Sequence, residues 1–112
     1  MTIHGTAINR RPILISPSYG AGWSTWCADE YAHVVLTYQP IIDAVEAGET
    51  LTEQHPACQK LAEDIAAQYG GDFYFGGIRD LTVVYVEGDF TVEEYDGSES
   101  VTHLGNIDRV VV

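Results

Sequence analysis

The chain has 112 residues, enough for one hydrophobic core and too few for two, so residues 1–112 read as a single domain. Apolar residues make up 46% of it, which excludes a disordered acidic tail. Seventeen acids against five bases give a formal net charge of −12. Nucleic acid and anionic membrane carry the same sign, so direct binding to either is disfavoured, and a basic protein is the complementary partner. A solvated surface adapted to high salt would show the same composition.

The elements follow in chain order. "RPILIS" reads as a short strand, with Ile13, Leu14 and Ile15 set between Pro12 and Pro17. Pro17, Gly20 and Gly22 then make a loop, and Ser24 or Thr25 caps a helix running to about Tyr38. Cys27, Tyr31, Val34, Val35 and Tyr38 recur there at helical spacing. Pro40 starts a second short helix, "PIIDAVEA", and Gly48 stops it. Pro56 opens a third, "PACQKLAEDIAAQY", which Gly70 and Gly71 end. Its apolar stripe is Cys58, Leu61, Ala62, Ile65, Ala66 and Tyr69.

Beyond residue 72 the period shortens. "LTVVYVE" is a central strand, Gly88-Asp89 a tight turn, and "FTVEEY" the next strand. Asp96-Gly97 is the strongest hairpin signal in the chain, with "SESVTHL" returning as a third strand. The end, "DRVVV", adds an edge strand that would be free to pair between subunits, which leaves monomer and homodimer both open. The expected class is α+β, with two to three helices packed on one face of a small, mainly antiparallel sheet.

No catalytic constellation is legible. Ser24 lacks the G-x-S-x-G setting, and His4, His33, His55 and His103 lack metal-ligand spacing. Cys27 and Cys58, both in predicted helices, form neither a disulfide framework nor a metal pattern and read as buried free thiols. The chain is therefore expected not to be an enzyme and to use no metal or cofactor. The N-terminal stretch has no secretory pattern and no run approaches membrane-spanning length, so a cytoplasmic location is expected.

Two segments are candidates for binding. The first is "ISPSYGAGWSTW". It lacks the lysine of a phosphate-binding P-loop and the third glycine of a dinucleotide loop, although amides at a helix start can take an anion. Tyr19, Trp23 and Trp26, together with Arg79 as an anion contact, would make a small-molecule, nucleotide-like site between Tyr19 and Thr25. The alternative is that the glycines supply unusual backbone angles while the tryptophans cover the core edge.

The second is "VEGDFTVEEYDGSES". Glu87, Asp89, Glu93, Glu94, Asp96 and Glu99 fall within 13 positions with no base among them. Hairpin pairing would bring Glu87, Glu93 and Glu99 side by side, and like charges directly opposite are destabilising unless used. The calcium-loop order is absent, so these carboxylates read as a field for lysine and arginine, with Tyr95 as aromatic anchor.

"SPSYGAGWSTW", "GGIRDLTVVYV" and "VEEYDGSES" resemble the signature of small acidic proteins encoded in phage and prophage genomes, over roughly residues 12–101. The resemblance implies an accessory gene product acting in the host cytoplasm. In size and charge it is similar to anti-restriction and anti-CRISPR inhibitors, some of which mimic DNA. The expected function is a non-enzymatic inhibitor binding a basic host protein, such as a nuclease or a CRISPR-effector subunit, through the hairpin acids.

Overall fold

The computed structural model describes residues 2–71 and 73–103. Strand β1 (Ile3–Ile15) is followed by helices α1 (Asp29–Leu36), α2 (Gln39–Glu46) and α3 (Pro56–Tyr69), then by strands β2 (Thr82–Tyr95) and β3 (Ser98–His103). The strands form one antiparallel sheet in the order β1-β2-β3, which with the helices makes the fold α+β, as expected. The edge strand expected at 108–112 lies outside the described residues.

β1 is longer than "RPILIS". Its first half enters the sheet because Ile3 and Ala7 point into the core beside Phe90 and Val92. Gly5 lies between them under the Phe90 ring, where a Cβ would sit 2.5 Å from Cζ. The stretch lacks apolar alternation, with Ile3, Ala7 and Ile8 set among polar residues and glycine, and the contact that secures it is long-range.

The turn expected at Gly88-Asp89 is not a turn. β2 runs unbroken through it, because the left-handed backbone of Gly88 (φ +76°) serves an irregularity in the pairing. Ala7 pairs with Gly88 and Arg11 with Val86, so Ile8, Asn9 and Arg10 stand opposite Glu87 alone. Asp96 (φ 53°) and Gly97 (φ 85°) do form the predicted two-residue hairpin turn.

The helix expected from Ser24 or Thr25 to Tyr38 is broken. Ser24–Trp26 is a single 3-10 turn, and Cys27 and Ala28 are extended before α1 begins. The Trp23 and Thr25 amides, which would start a continuous helix, donate instead to the Glu99 carboxylate. Cys27 thus lies in a link rather than a helix. α2 starts with Pro40 in its first turn, and α3 spans the stretch expected of it and ends on left-handed Gly70. His55 caps α3: its Nδ1 accepts from the Ala57 amide at 3.1 Å, so the proton sits on Nε2, 2.7 Å from Glu49 Oε1.

Alternation along β1 feeds two clusters. Leu14 packs with Trp23, Val35, Ile41, Ile42, Leu61 and Ile65. Its neighbours Ile13 and Ile15 pack with Ala32, Leu36, Val86 and Phe90. The end of α1 bridges them, since Val35 joins the first cluster and Leu36 the second.

Two glycines separate backbone strain from crowding. Gly48 (φ +76°) has open space around its missing side chain, whereas a Cβ on Gly97 would lie 2.6 Å from the Ala21 nitrogen. Gly48→Ala should lower unfolding free energy by about 1–2 kcal/mol. Gly97→Ala should lower it by about 3 kcal/mol or more, strain plus overpacking, with urea titration as the readout.

Candidate functional site

The tryptophan loop is filled by its own chain. Glu99 is 1% exposed, and its carboxylate accepts from the Ser16 amide (2.8 Å), the Trp23 amide (2.8 Å) and the Thr25 amide (3.0 Å). The Thr25 hydroxyl adds a fourth bond at 2.5 Å. In return the Glu99 amide donates to the Ser16 carbonyl, the Gly20 amide to Asp96, and the Ser98 hydroxyl to Pro17. The loop does hold an anion at its helical turn, but that anion is Glu99. A charge so deep is tolerated because four donors converge on it.

Three expectations are corrected by this arrangement. Glu99 is not part of an exposed partner surface. Trp23 is not a ligand contact: it is 1% exposed, donates its indole N–H to Val35 at 3.1 Å and meets Phe73 edge-on at 5.4 Å. Glu87, Glu93 and Glu99 do not lie side by side. Glu87 and Glu93 are six residues apart on one strand, about 20 Å at strand rise.

The remaining acids divide by face. Glu87, Asp89, Glu93 and Tyr95 alternate along the same side of β2 and are exposed. Asp96 is exposed at the turn. Among the described residues no lysine, arginine or histidine lies at ion-pair distance from Glu87, Asp89, Glu93 or Asp96. Asp89 accepts from the Thr6 hydroxyl at 2.7 Å, and Glu93 from Thr91 at 3.3 Å. Tyr95 is 76% exposed and meets Tyr19 edge-on, ring centres 6.5 Å apart. Glu94 points the other way, directly across from Glu99. The two like charges coexist because each has donors: the Gly97 amide reaches Glu94 at 2.8 Å and, with the Trp26 side chain, holds its carboxyl below the usual range.

Of the expected small-molecule site, Tyr19 and Arg79 do converge. They line a shallow recess of about 260 Å³ with Ser16, Phe75 and Asp80. Trp23 and Trp26 do not join them, one sunk in the core and the other turned toward Glu94. Among the described residues no three His, Cys, Asp or Glu side chains converge as a metal site requires, and no helix is long and apolar enough to cross a membrane. No family model, no curated protein and no solved structure matches this chain.

Both thiols are free. Burial, with the Glu99 charge second, pushes Cys27 up to about 12, and burial pushes Cys58 up to about 11. Sequence reasoning missed Ser16 and Thr25 as partners of Glu99; the one available signal was a serine and a threonine flanking a glycine-rich loop.

Glu99→Ala leaves three amides and a hydroxyl without their acceptor and should cost more than about 3 kcal/mol in urea unfolding. Glu99→Gln keeps one accepting oxygen and should fall between that variant and the native chain. The thiols make alkali destabilising. Both pKa values are raised on folding, so stability is intact below the ordinary value of 9.0 and is lost as pH climbs toward about 11 and 12. Unfolding midpoints should drop from about pH 9 to about pH 11, and replacing both cysteines by alanine should flatten that drop.

Proposed function

We propose that this chain is a non-enzymatic inhibitor that binds a basic, nucleic-acid-handling protein through the exposed face of β2. The observation that carries the reading is the row formed by Glu87, Asp89 and Glu93, exposed on one strand face with no cation at ion-pair distance among the described residues. Like charges in a row repel, and a lysine- or arginine-rich partner relieves that repulsion on contact. Tyr95, paired with Tyr19 beside the row, supplies the exposed aromatic surface that anchors such interfaces. The resemblance to phage proteins adds a class of partner: a nuclease or a CRISPR-effector subunit met in the host cytoplasm. The structure does not favour Glu94 and Glu99 as contacts, since both carboxylates are held by the fold itself.

The test is capture of basic proteins from host lysate with the native chain and with the double variant Glu87→Lys/Glu93→Lys. A partner should be retained at about 0.05 M salt, released near 0.5 M, and lost by the variant at both. A partner that the double variant holds as tightly as the native chain would remove β2 from the interface. Loss of binding with an unchanged unfolding midpoint places the effect at the surface.

A further inference from the structure

Among the described residues, one groove in this acidic molecule has no acid in its own wall. It lies between α1 and the sheet, about 270 Å³ in volume, with Ala7, Ile13, Leu36, Val86 and Phe90 as its floor. Arg11, His33 and Thr37 stand around it. Past Gly5 and Phe90 it continues into a more open recess bordered by His4, His33 and Asp89, whose carboxylate accepts from the Thr6 hydroxyl. The Phe90 ring lies against the bare Cα of Gly5, so the apolar floor is tightly closed at this end.

Arg11 is the permanent cation of this groove, and it has no ion pair among the described residues. Its neighbour Arg10 is engaged elsewhere, 4.3 Å above the Tyr85 ring. A closed apolar floor with a few convergent donors at its margin is the usual composition of a small-molecule site.

We propose that this groove binds a small apolar carboxylate. Its hydrocarbon body lies on Phe90 and Leu36, its carboxylate takes the guanidinium of Arg11, and the His33 ring offers a further polar contact. The volume sits near the lower end of ligand sites, roughly 300 Å³, which suits a body of about six to eight carbons. Charge selects the head group: the permanent charge in the groove's own wall is that of Arg11, so an ammonium of the same length gains nothing there. The groove meets the acidic row on β2 only where Asp89 borders its open extension, and Glu87 and Glu93 lie outside it.

The experiment is a titration of the isotope-labelled chain with octanoate, followed by amide chemical shifts, with octylammonium and acetate as matched probes. Octanoate should give saturable shifts confined to the groove, at Gly5, Ala7, Leu36, Val86 and Phe90. Octylammonium lacks the head group and acetate lacks the body, so both should leave those amides unmoved. Arg11→Gln should weaken octanoate binding about tenfold or more, and Arg11→Lys by less. The spectra themselves report whether each variant is folded. The proposal is overturned if octanoate shifts nothing or shifts amides elsewhere, if octylammonium binds equally, or if Arg11→Gln binds as the native chain does.

Discussion

The fold turns on one buried carboxylate. Glu99 gathers donors from Ser16, Trp23 and Thr25, residues far from it in sequence, and thereby ties the loop after β1 to the start of β3. An unpaired charge at 1% exposure would be prohibitive, but here the donors are backbone amides that need an acceptor anyway. Because those amides face Glu99, the chain makes one 3-10 turn and a two-residue extended link before α1 begins. That link places Trp23 under Val35 and against Phe73, so the same contact that breaks the helix completes the larger core cluster.

The local signals were legible wherever the cause was local. α3 shows its proline at the start, its apolar stripe and its glycine stop, and the structure has all three. The Asp96-Gly97 turn needs only its own two residues. Gly88 was readable as a residue with positive φ but not as to purpose, since a turn and a bulge make the same demand on the backbone. The first half of β1 depends on Phe90 and Val92, more than eighty residues away, and Glu99 is distinguished from Glu93 and Glu94 only by partners equally distant. The acidic segment was recognisable as a set. Which members are free was decided by strand alternation and by that cradle.

The same division explains how a chain of net charge −12 stays compact. Its carboxylates are handled differently by location. Glu99 is neutralised in effect by dipoles, Glu94 by the Gly97 amide, and Asp64 by the Tyr38 hydroxyl at 2.6 Å. Those on the outer face of β2 are left to solvent. The few bases are not spread to compensate them, and Arg10 rests on an aromatic ring. The molecule is thus electrostatically polarised at short range.

The three residues that stand opposite Glu87 have a bearing on self-association. Among the described residues β1 is an edge of the sheet, and thirteen residues of uninterrupted edge would offer a template for another strand. Ile8, Asn9 and Arg10 interrupt the ladder midway and lift the backbone out of register. Each remaining stretch of that edge is short, and the guanidinium groups of Arg10 and Arg11 stand beside the gap. The irregularity that accommodates the extra residues therefore also shortens the template this edge presents to another strand.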